Sequence, residues 1–304
     1  MIGRAFQNAV ISPQRLAAES TDGRDRNRTL LVMPAIRPGS LAVVKVVTVL
    51  RGGEGGLSSH LLALDRDGTP LALIAAHQLT ARRTAAASVL ATRTLRARPA
   101  RHLAVLGAGR QARAQIEAYA DAMPLETVTL WARRTAAAEE LASACVSQAP
   151  RVQIARTSDD AVRRADIVTC LTASEAPLFS GESVSPGAHV DLVGGFRPTM
   201  READDSLMRR ATIVADTPAA VEEAGDLVQP LASQAIQRGD ISFLADLLAG
   251  KAPVRHGDIT VFKSVGFAAQ DLVVAELLLQ RLELATSAVT PPEAFPTHSQ
   301  GMTQ

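Results

Sequence analysis

Leu103-Ala104-Val105-Leu106-Gly107-Ala108-Gly109-Arg110-Gln111-Ala112 decides the fold of this chain. A short apolar run turns sharply through two glycines and enters a helix rich in Ala, Gln and Arg. That is the strand–turn–helix of a dinucleotide-binding βαβ unit in its G-x-G-x-x-A form. Gly107 allows the tight turn, and Gly109 lets the backbone approach a pyrophosphate with no Cβ in the way. Ala112, small like the usual third glycine, lets helix and strand pack closely. Ala108 and Gln111 lie inside the same turn and count as cofactor contacts with it. The helix start adds free N–H groups and a positive dipole end for the phosphates.

Outward from this turn, strands and helices alternate. Strand Thr127–Trp131 leads to a helix from Thr135, and Val152–Ala155 to a helix capped by Ser158. Strands Asp166–Leu171, His189–Val193 and Thr212–Ala215 follow, which predicts a parallel sheet covered on both faces. Upstream, the apolar runs Leu30–Pro34, Leu41–Leu50, Ser58–Asp65 and Leu71–Ala75 are separated by turn signals such as Asp-Gly-Thr-Pro. They predict an antiparallel or mixed sheet. An Ala-rich helix, Gln78–Leu95, comes next with Thr80 as its expected N-cap, and Pro99 ends that unit. The last helix, Phe267–Leu284, is apolar nearly all round and is expected to be buried between domains or subunits. Three prolines and polar residues in 291–304 read as a disordered tail.

The 304 residues leave room for two domains or one large α/β unit. With 47% hydrophobic and 21% charged residues, the chain has the profile of a soluble globular protein. A net charge of +1 gives no reason to expect nucleic acid or an anionic membrane as partner. Cys145 and Cys170 suit reduced, buried thiols; with no signal-peptide pattern and no membrane-length run, the expected compartment is the cytoplasm. No residue is assigned to a metal. The basic residues are 29 arginines and three lysines, Lys45, Lys251 and Lys263. Lys251 lies in a polar loop. Lys45 and Lys263 interrupt apolar strand-like runs, where a charge must find water, a partner or a ligand. Lys263 reads as an outward-pointing edge-strand lysine; Lys45 does not.

A site for NAD usually places an Asp or Glu at the end of the second strand, on the ribose 2′-hydroxyl. Here that strand runs out as Trp131-Ala132-Arg133-Arg134-Thr135, with no acid. Two guanidiniums and a helix start suit a 2′-phosphate, so NADPH is the expected cofactor, with NADH possible. Paired arginines come cheaply in an arginine-rich chain. The missing acid carries the inference.

Several segments together resemble the ornithine cyclodeaminase/mu-crystallin family. They are Lys45-Val-Val-Thr, Leu79-Thr-Ala-Arg-Arg83-Thr84-Ala-Ala, the glycine turn, Asp191-Leu-Val-Gly-Gly-Phe196-Arg-Pro-Thr-Met-Arg-Glu202, Glu223-Ala-Gly-Asp226 and Thr260-Val-Phe-Lys263-Ser264. The resemblance runs in order over almost the whole chain. It implies an α/β fold in which a Rossmann domain, residues 100–265, is inserted into a mixed α+β substrate and dimerisation domain built from 1–99 and 266–290. It implies a homodimer. Family chains open with an extra strand and helix ahead of the Pro-x-x-Arg segment; here that segment comes almost at once, so the expectation is either a truncated chain or a smaller first sheet.

The resemblance also assigns roles. Arg15 and Arg83 match the arginines that hold a substrate carboxylate, a task for planar bidentate donors. Lys45 matches the active-site lysine, able to bind that carboxylate or deliver a proton through water. Glu223 matches an acid of the pocket. Thr84, Thr172, Val193, Lys263 and Ser264 join Arg133, Arg134 and Thr135 near the cofactor. Plainer alternatives are a surface arginine for Arg15, a solvated helix residue for Glu223 and a helix cap for Arg83.

Cyclodeaminases of the family carry an aspartate directly after the Gly-Gly pair. Phe196 stands there in this chain. A phenyl ring cannot handle protons, so the pattern is similar to the branch that reduces the cyclic ketimines Δ1-pyrroline-2-carboxylate and Δ1-piperideine-2-carboxylate to L-proline and L-pipecolate. The rival readings are an ornithine or lysine cyclodeaminase with bound NAD, an alanine-type dehydrogenase, and a catalytically silent NADPH-binding protein.

Overall fold

The computed structural model describes residues 1–6, 10–21, 27–51, 57–96, 98–145, 147, 151–252 and 258–286. Residues 291–304, read above as a tail, lie outside the described residues. Two sheets organise the chain. The first is an antiparallel meander in the order β1 (Leu16–Thr21), β2 (Asn27–Ile36), β3 (Ala42–Arg51), β4 (Leu57–Leu64) and β5 (Pro70–Ala75). Its turns use the expected chemistry. Gly68 sits at φ +87°, and Asp65 Oδ1 accepts from the amides of Asp67 and Thr69. Strand β1 was not anticipated. Leu-Ala-Ala-Glu-Ser-Thr has no alternation, because an edge strand paired only to β2 needs none.

Period-two alternation in β3 turns Val43, Lys45 and Val47 toward the core, each at most 5% exposed. Two helices cover that face. The first, α1 (His77–Leu95), starts directly from the ladder, since the Ala76 amide donates to Ser59 O at 2.8 Å. Ala76 therefore occupies the N-cap position without a side-chain bond, and Thr80 is not the cap. Thr80 is buried one turn further on, its hydroxyl 3.5 Å from that of Ser59.

The second sheet has eight strands, all parallel, in the order β12-β11-β13-β10-β9-β6-β7-β8. In chain order they are β6 (His102–Leu106), α2 (Arg110–Ala122), β7 (Thr127–Trp131), α3 (Thr135–Ala144), β8 (Arg151–Ile154), α4 (Ser158–Val162), β9 (Ile167–Cys170) and β10 (His189–Leu192). Then come α5 (Asp205–Arg210), β11 (Ala211–Ala215), α6 (Ala219–Glu223), α7 (Gly225–Ala232), β12 (Ile241–Phe243), α8 (Leu244–Leu248), β13 (Ile259–Lys263) and α9 (Ala268–Thr286). Thr157, not Ser158, caps α4, its hydroxyl accepting from the Asp160 amide at 3.0 Å. Along β6, Leu103 and Val105 face one core layer, and Ala104 and Leu106 face the other. Both faces are covered, as a parallel sheet requires.

Strand β13 overturns the reading of Lys263. It inserts between β11 and β10, in the interior of the sheet, so Lys263 is fully buried rather than an outward edge lysine. Its ammonium lies 2.9 Å from Asp226 Oδ2. Helix α9 follows, and its first half, including Ala269, Leu272 and Val273, packs into one core with β2, β3, α1 and Phe262 of β13. Its far end reaches water at Leu282. Cys145 and Cys170 are free thiols, both buried. Among the described residues no helix is long and apolar enough to cross a membrane.

A buried polar knot ties α1, α2 and the parallel sheet together. The Tyr119 hydroxyl donates to Asp191 Oδ2 and lies 2.7 Å from the Thr92 hydroxyl, while His189 bridges Asp191 and Thr260. Burial and the Asp191 charge hold the Tyr119 phenol well above its usual range, so it stays a donor. Tyr119→Phe leaves Asp191 short of one buried donor. It should cost about 1–3 kcal/mol in denaturant unfolding, whereas an unchanged midpoint would mean the knot contributes nothing.

Candidate active site

The strand order reverses between β6 and β9, the position at which open parallel sheets bind ligands beyond their carboxyl ends. Gly107 sits there at φ +118°, its amide donating to Trp131 O at 2.8 Å. A Cβ on it would lie 2.9 Å from Leu171 O, so the turn requires glycine. Gly109 differs. It is the N-cap of α2, and a Cβ there would enter open space. Ala112 is fully buried where helix and strand meet.

The space in front of Gly109 is a trough of about 430 Å³ lined by the turn residues, Trp131, Arg133, Arg134 and Leu171–Ser174. Arg133 and Arg134 are exposed and have no ion pair among the described residues; Thr135, also exposed, opens α3 just beyond. Through Leu171, Thr172 and Ala173 the trough continues into a cleft of about 280 Å³ between the two sheets. Arg15, Lys45, Arg83, Thr84, Gln111, Val193 and Ser264 all line that cleft. Leu31, Met33, Val47 and Val49, on the same sheet face as Lys45, add an apolar wall to the cleft. Gln111 Oε1 is buried with no partner among the described residues. A bare trough at Gly109, the positive N-terminal end of α2 and this orphaned oxygen together fit a dinucleotide.

Two cations meet in the cleft. Lys45, 1% exposed, places Nζ 2.6 Å from Asp271 Oδ2, and Arg83 Nε lies 3.2 Å from Asp271 Oδ1. Arg83 Nη1 also donates to Gln270 Oε1 at 2.7 Å. Gly266, at φ +72°, leaves room for that guanidinium; a Cβ there would sit 2.6 Å from Arg83 Nη1. Burial lowers Lys45 to a pKa of about 8, against the pull of Asp271 and with a further push from Arg83 and Arg15.

Arg15 pairs with Glu223, donates to Val265 O at 3.1 Å and lies 5.9 Å from the Phe196 ring centre. Arg197 approaches the same ring at 5.6 Å, so Phe196 is held between two guanidiniums. Glu223 does not line the cleft. It stands on the other side of Arg15, along an adjoining hollow of about 450 Å³. Lys263 does not line the cleft either; its ammonium is spent on Asp226 below the floor. Ser264 donates to Asp216 Oδ2 at 2.9 Å, which fixes the loop from β13 to α9.

Sequence reasoning missed two carboxylates. Glu202 is fully buried beneath the floor, accepting from the Thr172 amide (2.7 Å), the Thr172 hydroxyl (2.9 Å) and the Gly194 amide (2.8 Å). Burial and neighbouring Asp226 push it up to about 7. Asp271 had a legible signal, as the one acid in the first turn of an apolar helix.

An eight-stranded parallel sheet with a glycine turn at its switch point defines a Rossmann-type dinucleotide-binding protein, here joined to an antiparallel sheet across a cationic cleft. Comparison with known proteins gives the finer grouping. The model of the Ornithine cyclodeaminase/mu-crystallin family matches residues 4–285, and the chain belongs to that family. Ketimine reductase mu-crystallin of Mus musculus is 35% identical over 255 residues, 81% of this chain and 78% of that protein. A Delta(1)-pyrroline-2-carboxylate reductase of Bacillus cereus is 34% identical over 284 residues, 90% of this chain and 86% of that one. The solved structure of Thermococcus litoralis Delta(1)-pyrroline-2-carboxylate reductase, in complex with NADH and L-proline, superposes with a TM-score of 0.87 at 28% identity, covering 93% and 92% of the two chains.

The two glycines separate structure from binding. Gly107→Ala should lower the melting temperature, whereas Gly109→Ala should leave it unchanged yet weaken dinucleotide binding about tenfold or more by fluorescence titration. Equal affinity for Gly109→Ala and wild type would mean the trough holds no pyrophosphate.

Proposed function

We propose that the protein is an NADPH-dependent reductase of cyclic ketimine carboxylates, acting on Δ1-pyrroline-2-carboxylate, Δ1-piperideine-2-carboxylate or both, and forming L-proline or L-pipecolate. The observation that carries it is the Lys45–Arg83 pair, two buried cations beside an apolar wall in a cleft that continues from the glycine-turn trough. Relatives named as reductases of this substrate class support it. Phe196 supports it as well, since no acid at that position can drive loss of an amine.

In this reading the outer N–H groups of Lys45 and Arg83 bind the carboxylate, and Met33, Val47 and Val49 receive the ring methylenes. The α2 N-terminus, Gly109, Thr84, Thr172 and Val193 hold the dinucleotide, with Arg133 and Arg134 on its 2′-phosphate. When bound, the reduced cofactor supplies a hydride to the C=N carbon. Lys45 is protonated at neutral pH and is the acid closest to that end of the cleft, so it supplies the proton that a neutral imine needs. Arg15, held between Glu223 and the Phe196 ring, closes the cleft from the first sheet.

The protein works as a homodimer of two copies joined through the outer face of the antiparallel sheet. Leu16, Ile36, Leu50 and Leu73 are exposed there beside Val32, Val44 and Leu62, an apolar face of the kind that marks an interface. Leu73→Asp should turn a dimer into a monomer in sedimentation velocity. A monomeric wild type would reject this arrangement.

The direct test is oxidation of NADPH in the presence of each ketimine. No substrate-dependent rate at neutral or mildly acidic pH rejects the proposal. With activity present, kcat/KM should be higher for NADPH than for NADH and should fall as pH rises through about 8, where the Lys45 ammonium is lost. Arg83→Ala should raise KM roughly 10- to 100-fold, the loss of charge-assisted bonds of about 1.5–3 kcal/mol.

A further inference from the structure

Lys45 and Arg83 come from different elements, β3 and α1, and like charges at such range repel. One side chain prevents that. Asp271, fully buried in the first turn of α9, accepts from Lys45 Nζ through one oxygen and from Arg83 Nε through the other. Gln270, its neighbour and equally buried, takes Arg83 Nη1. The guanidinium is thus held at two of its nitrogens, Nε and Nη1, with Gly266 leaving the space it fills. Only the outward N–H groups of both cations remain for a ligand. Two cations sharing one acid keep a single net positive charge, which matches one carboxylate.

We propose that Asp271 is a positioning residue: it sets Lys45 and Arg83 side by side as one cradle for a monocarboxylate and keeps the buried Lys45 in its ammonium form. This rests on the carboxylate-cradle reading above. The groups acting on Lys45 are Asp271 from α9, Arg83 from α1 and Arg15 from the segment before β1. Of these only Asp271 favours the charged amine; burial and the two arginines oppose it. Asp216, at the end of β11, acts on Arg83 but is bonded to Ser264 and the Val265 and Gly266 amides.

Removing the charge at 271 should therefore release the Lys45 proton at lower pH. In Asp271→Asn, KM for the ketimine should rise about tenfold or more, and the alkaline limb of kcat/KM should move about one pH unit or more toward acid. Asp271→Glu should bring the limb back, although its added methylene leaves KM raised. Dinucleotide affinity, read by fluorescence titration, should stay at the wild-type level in both. An Asp271→Asn protein with that affinity, an unmoved limb and a normal KM overturns the proposal.

If Asp271→Asn fails to fold, the double variant Lys45→Met with Asp271→Asn decides. Recovery of dinucleotide binding shows that the damage was the stranded ammonium. No recovery overturns the proposal and leaves Asp271 as scaffolding for α9. Wild-type protein without ketimine turnover sinks the reductase reading instead, and the folding comparison of single and double variants then tests the Asp271–Lys45 link on its own.

Discussion

Ala81 and Ala85 of α1 meet Ala114 of α2 in a small buried cluster, and no side chain larger than a methyl group keeps those turns apart. The rest of the active site depends on this close approach. Arg83 and Thr84 lie on the turn between the two alanines, so the seam swings them over the glycine turn at the head of α2. Just before the seam, the Ala76 amide ties the start of α1 to β4. Lys45 then reaches the same space from a strand belonging to another layer. Substituting bulk into the seam would part the cations from the dinucleotide trough without touching either.

The cost of such a site is electrostatic. Lys45, Arg83 and Asp271 sit where water is scarce, as do Lys263, Asp226 and Glu202 below the floor. A buried charge is tolerated when its partners have good geometry and its remaining donors or acceptors are used. The two lower carboxylates meet that condition. Asp226 uses one oxygen for Lys263 and the other for the Glu202 and Ala203 amides, and Glu202 spends three acceptor positions on Thr172 and Gly194. The lower group is a frame that holds the ends of β9 and β10 as a shelf. The upper one keeps outward donors for a ligand.

Local pattern was enough for much of this. The β6 turn and the strands on both sides of it could be read from spacing and residue type, since each depends on neighbours a few positions away, whereas only the family resemblance singles out Arg83 and Thr84. The errors share a different cause. Lys263 looked like an edge lysine because nothing in its own strand reveals that the last strand in sequence inserts between β11 and β10. Thr80 and Ser158 looked like caps, yet a ladder bond to Ser59 and the hydroxyl of Thr157 took those places. Glu202 lay within a quoted motif without a role, because its meaning comes from amides just beyond the ends of β9 and β10. Glu223 was expected to line the cleft, but it pairs with Arg15 from the far side, a contact between residues 208 positions apart that no local pattern reveals.

Helix α9 belongs to the core of the first sheet, yet its Gln270 and Asp271 bond the two cations of a cleft whose lining starts at Arg15 and ends only at residues 264–266. Synthesis on a ribosome is vectorial, so β3 and α1 emerge with Lys45 and Arg83 long before their shared counter-ion does. The nascent protein must keep two uncompensated cations wetted, and its dinucleotide sheet unclosed, until β13 and then residue 271 leave the exit tunnel. The counter-ion of the two cations is thus put in place only in one late step.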